Sequence, residues 1–355
     1  MKIGYYLAGS RRGLKSGGLT PYTYRLVEFL LKSLTDVDFH LFIDPSQQSE
    51  VEDLIKLNPQ RSVTWSSIHV IPGMGLLNRS ITRLSLAENK RWLKATARLI
   101  NGLEWQTLGK AVDMIHCPIQ VMPTASWRKP LIITMHDVQE LHFPEYFTPR
   151  ERAERANYFW LGLNEATKIV VSYQHVKDDL IRFFHLQPEK IHVCPIPIDN
   201  SWLPQPNHQL MDNIKQKYQL NEPFILYPAQ TWQHKNHIGL IKALAYLRDH
   251  LGTQPPLTIF TGKKNDFYPT IEKEISCNGL QERVRFLGIV PEEDLAALYK
   301  TCIFVVIPTL YEAGSFPLYE AMMLNAPVIC ARTTSLPEIM DETAFTFDPR
   351  DPIDI

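Results

Sequence analysis

Two kinds of pattern alternate along the chain. Continuous apolar, β-branched runs occur at Lys2–Ala8, Asp38–Ile43, Met114–His116, Leu131–Met135 and Lys168–Ser172. They recur at Phe224–Tyr227, Leu257–Phe260, Val284–Leu287 and Ile303–Ile307. Runs of this length without polar alternation read as strands buried on both faces, as in a parallel sheet. Between them lie helix-period stripes. One follows Thr20 and Pro21, with Thr20 expected as its cap and Leu26, Phe29, Leu30 and Leu34 as its apolar face. Others cover Arg150–Leu163, Val176–Phe184 and His237–Leu247, and a further one carries Leu295, Leu298 and Tyr299 on one face. Strand and helix in alternation predict an α/β protein with doubly wound sheets. Pro195, Pro197, Pro204 and Pro206 interrupt the pattern, so the expected domains are 1–200 and 201–355.

Composition sharpens this picture. At 355 residues the chain is too long for one comfortable core. With 45% hydrophobic and 21% charged residues it is an ordinary globular chain, not a disordered one. No run approaches the roughly 18 to 20 apolar residues that a membrane span needs. The opening Met-Lys-Ile-Gly lacks the apolar core of a secretory signal, and five scattered cysteines show no metal spacing. A reduced, cytoplasmic protein is expected, with no nucleic-acid partner. The net charge of −1 conceals a basic first part: residues 1–130 carry seventeen Lys and Arg against ten Asp and Glu, a local net of +7. Residues 79–98 concentrate it, with Arg79, Arg83, Lys90, Arg91, Lys94 and Arg98 interleaved with Leu84, Leu86, Trp92 and Leu93. That segment reads either as a surface helix packed on its own domain or as a peripheral contact with the inner membrane surface.

The candidate chemistry lies at the ends of the expected strands, where an open parallel sheet forms its ligand crevice. After Ile303–Ile307 comes Thr-Leu-Tyr-Glu-Ala-Gly-Ser-Phe-Pro-Leu-Tyr-Glu, residues 309–320, which puts Glu312 in a loop and Glu320 eight positions later inside a helix. The spacing alone also suits a helix start followed by a solvated acid. A glycine-rich loop with Gly17 and Gly18 precedes the first helix, a setting suited to an anion or to plain turn chemistry. His136 and Asp137 follow Leu131–Met135, and His142 reads as a surface or packing residue. The loop after Phe224–Tyr227 carries Gln230 and Lys235. No acidic pair stands in a metal-ligand setting after a strand, so no metal requirement is expected.

Residues 311–322, then Ala326-Pro327-Val328-Ile329 and Ser335-Leu336-Pro337-Glu338, resemble the signature of retaining family-4 glycosyltransferases of the GT-B fold. The resemblance covers most of the chain and is strongest from Phe224 to Asp351. It implies two Rossmann-like domains facing across a cleft, the first on the acceptor side and the second binding a nucleotide-diphosphate sugar as co-substrate, without a cofactor. It implies that Glu320 holds the ribose and Glu312 the donor sugar, while His136 reaches the sugar from the first domain. Gly17, Gly18, Gln230, Lys235, Gly314, Ser315 and Phe316 fall in the positions that meet the donor, and Val290 in that of a base contact. Glu312, His136 and Lys235 are thereby the candidate catalytic residues.

The chain departs from the pattern twice. Gln230 stands where related enzymes carry an Arg, and a carboxamide lacks the charged fork of a guanidinium. The chain also stops at Ile355, where the resemblance leads one to expect further helices, one of them crossing back to the first domain. The implied function is transfer of a sugar to a hydroxyl of a glycan or lipid-linked acceptor. The alternatives are a subunit that keeps the fold with impaired turnover, or an epimerase or phosphorylase on the same architecture.

Overall fold

The computed structural model describes residues 1–8, 19–68, 109–120, 129–196, 203–340 and 345–355. Gly17, Gly18 and the basic segment 79–98 lie outside the described residues. The chain divides into two compact units, Met1–Ser172 with Val176–Cys194, and Tyr173–His175 with Pro195–Ile355.

The first unit is built on a seven-stranded sheet. Its strands are β1 (Lys2–Tyr6), β2 (Asp38–Ile43), β3 (Val63–Ser67), β4 (Met114–Cys117), β5 (Leu131–Met135), β6 (Lys168–Val171) and β7 (Ile191–Val193). They lie in the order β3-β2-β1-β4-β5-β6-β7, every neighbour parallel, with Ile3 of β1 opposite Phe39 on one side and Met114 on the other. The order runs outward in both directions from β1, so the chain changes direction across the sheet between β1 and β4, the switch point at which such sheets take ligands.

Helix α1 (Leu19–Ser33) starts one residue ahead of Thr20, so Thr20 and Pro21 lie within its first turn. Its buried stripe also differs from the expected one. Tyr24, Val27 and Leu31 face the core, Leu26, Leu30 and Leu34 flank it, and Phe29 is half exposed. The reason is polar. Tyr24 donates to Glu50 in α2 (Gln48–Lys56) at 2.6 Å and accepts from Gln47 at 3.0 Å, and Tyr5 donates to the Thr23 carbonyl at 3.1 Å. These bonds set the rotation of α1 and bring Tyr22 over the end of β5.

The remaining described helices of this unit are α3 (Gln139–His142), α4 (Pro149–Glu165) and α5 (Gln174–Phe184), whose first two residues fall in the second unit. Thr148 and Glu151 form a reciprocal capping box at the start of α4, with Pro149 in its first turn.

The second unit repeats the plan with six strands: β8 (Phe224–Pro228), β9 (Leu257–Thr261), β10 (Val284–Gly288), β11 (Val305–Ile307), β12 (Val328–Ala331) and β13 (Thr346–Phe347). Their order is β10-β9-β8-β11-β12-β13, again parallel throughout. All five residues of β8 and of β9 are buried, which is why these strands read as unbroken apolar runs. Around them lie α6 (His208–Lys217), α7 (His237–Leu251), α8 (Tyr268–Cys277), α9 (Glu292–Thr301), α10 (Phe316–Met323) and α11 (Leu336–Met340). Leu240, Ile241 and Leu244 of α7 and Ala297, Leu298 and Tyr299 of α9 enter one core with the strands. The architecture is two doubly wound parallel sheets with flanking helices.

Candidate functional site

In the second unit β8 ends at Pro228, and the chain passes through a single tight turn, Gln233–Lys235, before opening α7. Asn236 makes the corner. Its backbone is left-handed at φ 59°, a conformation that Asn tolerates better than most side chains. Its Oδ1 accepts from the Gly239 amide at 3.2 Å, capping α7, and its Nδ2 donates to the Pro308 carbonyl at 2.9 Å and the Pro349 carbonyl at 2.7 Å. The same turn is bound to the loop after β11, because the His234 carbonyl accepts from Leu310 N at 2.7 Å and Thr309 Oγ1 at 3.1 Å. Tyr227 donates to the Lys235 carbonyl. Lys235 therefore stands on a backbone braced from three sides.

Its ammonium meets Glu312. Lys235 Nζ donates to Glu312 Oε1 at 2.9 Å and Oε2 at 2.7 Å, and the two side chains are only 17% and 9% exposed. Glu312 is itself fixed from the loop after β12. Its amide donates to Thr334 Oγ1 at 2.9 Å, and its carbonyl accepts from Ser335 Oγ at 2.9 Å. Two opposite charges at this depth stabilise each other chiefly by keeping either from being buried alone.

Immediately beyond, Ser315 is fully buried and caps α10, accepting from the Leu318 amide at 3.4 Å. Gly314 and the half-buried Phe316 sit at this helix start. A Cβ on Gly314 would lie 3.2 Å from Ile196 Cδ1 and from Tyr173 Cε2, so a side chain there would require these neighbours to shift by a few tenths of an ångström. Glu320, one face further along α10, accepts from the Tyr299 hydroxyl at 2.7 Å. Burial pushes its carboxyl above the ordinary range, against the pull of that hydrogen bond. Glu320 makes no contact with Lys235 among the bonds of this site; its partner is α9.

Gln230 does not point its carboxamide at a charge. Its Oε1 accepts from the Trp232 indole at 3.1 Å, while the neighbouring Thr231 is buried and bonded to Asn265. The Ala229–Gln230 backbone is crossed closely by Gly262, where a Cβ would fall 2.8 Å from the Ala229 carbonyl and φ is 109°. Only glycine fits at such an approach. Val290 follows the left-handed Gly288 and packs its side chain, half-buried, on the core.

His136 lies in the first unit, just past β5. Its Nε2 is 2.8 Å from the Pro118 carbonyl, and its amide donates to Gln120 Oε1 at 3.1 Å. Asp137 beside it is held by Arg155, which also bonds Glu140 at 2.8 Å and lies over the rings of Phe147 and Phe159. His142 is more than the packing residue expected: its Nε2 lies 2.7 Å from the carboxylate of the buried Asp179. Among the described residues no three His, Cys, Asp or Glu side chains are grouped to hold a metal ion, and no helix is long and apolar enough to cross a membrane.

Spacing did not point to Asn236, Thr334, Tyr299, Gln120 or Arg155. Of the supporting residues, only Ser335 stood in a recognised motif.

Comparison with known proteins bears on this arrangement. The model for Glycosyltransferase Family 4 matches residues 16–202, and that for glycosyl transferases group 1 matches residues 211–355. O-antigen chain mannosyltransferase B of Escherichia coli is 29% identical over 226 residues, which are 62% of this chain and 58% of that protein. O-antigen chain mannosyltransferase RfbU of Salmonella typhimurium is 27% identical over 224 residues, 62% of this chain and 57% of that protein. The chain thus spans less than two thirds of these relatives' lengths. Among solved structures, Anabaena HepE in complex with UDP and glucose superposes with a TM-score of 0.67 at 18% identity, covering 100% of this chain and 87% of the other. At that identity the likeness concerns the fold, which is the GT-B fold.

Proposed function

The chain belongs to glycosyltransferase family 4, and on that premise we propose that it transfers a sugar from a nucleotide-diphosphate donor to a hydroxyl of a glycan or lipid-linked acceptor, with retention at the anomeric carbon. Mannose is the sugar this reading favours, because both curated relatives described above are mannosyltransferases. The observation that carries the proposal is the Lys235–Glu312 pair set beside the opening of α10, at the carboxyl ends of β8 and β11.

Such a place suits a leaving diphosphate. The developing charge would meet the Lys235 ammonium, a fixed donor that needs little rearrangement during the reaction, and the positive end of the α10 dipole. Glu312 offers carboxylate oxygens to donor-sugar hydroxyls, and Glu320 offers one to the ribose. With the diphosphate answered by the Lys235 ammonium, this reading calls for no metal ion or cofactor. In the transfer, the bond from anomeric carbon to phosphate oxygen breaks and that from anomeric carbon to acceptor oxygen forms. The acceptor proton passes to the departing phosphate. His136 serves a substrate hydroxyl.

A thermal-shift and hydrolysis screen against UDP-, GDP- and ADP-sugars, with and without EDTA, tests this. One nucleotide class is expected to raise the midpoint irrespective of EDTA, with the rise reduced in Glu320→Ala. A ligand at about 100 times its dissociation constant contributes about 2.7 kcal/mol, a shift well within reach of the method. No stabilisation by any donor would favour a subunit that keeps the fold without turnover, and loss of the effect in EDTA would end the metal-free reading.

We further assign residues 79–98 to an anionic bilayer surface on the cytoplasmic side that presents a lipid-linked acceptor; their six basic side chains support this. Co-sedimentation with vesicles should rise with anionic lipid content. Binding indifferent to lipid charge would remove the assignment.

A further inference from the structure

The sequence singled out His136 and said nothing of what holds it. A single side chain answers two successive backbone amides there. Gln120 Oε1 accepts from His136 N at 3.1 Å and from Asp137 N at 3.1 Å. Gln120 is 8% exposed and lies on the short segment that follows β4, so it fixes the end of β5 from the neighbouring strand. The ring is gripped as well. Tyr22 of α1 meets it edge-on, with centroids 4.7 Å apart and planes at 84°. Tyr22 shares a hydrogen bond with Thr134, whose hydroxyl lies 3.0 Å from His116 Nε2.

The remaining bond decides the chemistry. His136 Nε2 lies 2.8 Å from the Pro118 carbonyl. A carbonyl oxygen only accepts, so Nε2 carries the proton. In a neutral imidazole the other nitrogen is then an acceptor. We infer that Gln120 is the positioning residue for His136, and that His136 meets its substrate through Nδ1 as a hydrogen-bond acceptor, serving a hydroxyl and not a phosphate oxygen.

The charged surroundings agree. Burial pushes the His136 ring below its ordinary pKa, only partly opposed by the Pro118 carbonyl and Asp137. Asp137 is turned toward Arg155. His116 is pushed down by burial to about 4 and brings no positive charge. An imidazole so placed is a poor partner for an anion and a good one for an O–H group. The inference refines the role of His136 within the transferase reading and rests on it for the identity of the substrate.

Long-range ¹H–¹⁵N correlation of the His136 ring in the wild-type chain tests the tautomer without any turnover. One protonated nitrogen at Nε2 and one unprotonated nitrogen at Nδ1 are expected near pH 7.5. Protonation of both nitrogens, or of Nδ1 alone, would overturn the inference.

Kinetics test the positioning. In Gln120→Leu, kcat for sugar transfer is expected to fall about 10²-fold, the scale of a 1 Å misplacement, with KM for the nucleotide sugar within twofold. Gln120→Glu, which still accepts from both amides, should recover at least tenfold of that loss. Unchanged kcat in Gln120→Leu, or a change in KM alone, would remove the role. Should Gln120→Leu fail to fold, His136→Asn, which keeps an acceptor near the Nδ1 position, should retain at least tenfold more transfer than His136→Gln. The reverse order refutes acceptance at Nδ1. A wild-type chain that transfers no sugar would defeat the functional reading, while the spectrum would still decide the tautomer.

Discussion

Lys235→Ala is expected to lower kcat by about 10²- to 10³-fold, the range for removing one fixed group that answers charge developing in a transition state. It should also destabilise the second unit, because Glu312, only 9% exposed in the intact pair, would lose its cation. Breaking a buried pair from one side costs about 3 to 5 kcal/mol, more than the pair is worth intact. Stability and catalysis can therefore be separated. A double variant, Lys235→Met with Glu312→Gln, leaves no uncompensated charge and should return to within about 1 kcal/mol of wild type in chemical denaturation. Its activity should stay as low as that of Lys235→Ala. If the double variant regained activity, the ammonium would be a structural partner of Glu312 and nothing more. If Lys235→Ala kept both its midpoint and its kcat, the pair could not be the centre of the site.

How much of this was legible in the chain differs from element to element, and the differences have physical causes. Strands β5, β8 and β9 lie inside their sheets, so both faces must be apolar and the sequence shows it over five residues each. Strand β3, Val63–Ser67, was not anticipated. It is an edge strand with one neighbour, and its Thr64, Ser66 and Ser67 carry no continuous apolar run. The two-residue β13 at the opposite edge of the other sheet was missed for the same reason. In α1 the apolar residues were evident but the buried stripe was not, since Tyr24 faces inward through side-chain hydrogen bonds that hydrophobicity does not register. At the site, motif spacing placed Glu312 and Glu320 in a loop and on a helix. It could not reveal that Glu312 pairs with Lys235, 77 positions away, or that Glu320 is held by Tyr299. Those facts depend on which strand ends are neighbours, and β8 next to β11 is a property of the sheet order alone.

That sheet order is why Asn236 should be the most sensitive supporting residue. Its side chain joins three segments brought together only by folding: the start of α7, the end of β11 at Pro308, and the chain after β13 at Pro349. Asn236→Ala removes the cap, about 1 kcal/mol, and places alanine at φ 59°, about 1 to 2 kcal/mol. It also leaves two carbonyls without their donor, at about 1 kcal/mol each. A loss of about 4 kcal/mol is expected, which at about 2 to 4 °C per kcal/mol lowers the melting midpoint of this unit by roughly 10 °C. Asn236→Gly tolerates the left-handed backbone and an empty cap costs it only a few tenths, so about half the loss should remain. Asn236→Asp keeps the cap but sets a carboxylate against two carbonyl oxygens, and should fall between the two. Calorimetry on the three variants reads the order directly. Equal midpoints for Ala and Gly would mean that the handedness of the corner contributes nothing, and a drop of less than about 1 kcal/mol in Asn236→Ala would mean the carbonyl bonds do not brace the Lys235 turn. If the expected order holds, kcat should follow the midpoints downward even when measured well below melting, because the corner that sets the fold of α7 also sets where the Lys235 ammonium stands.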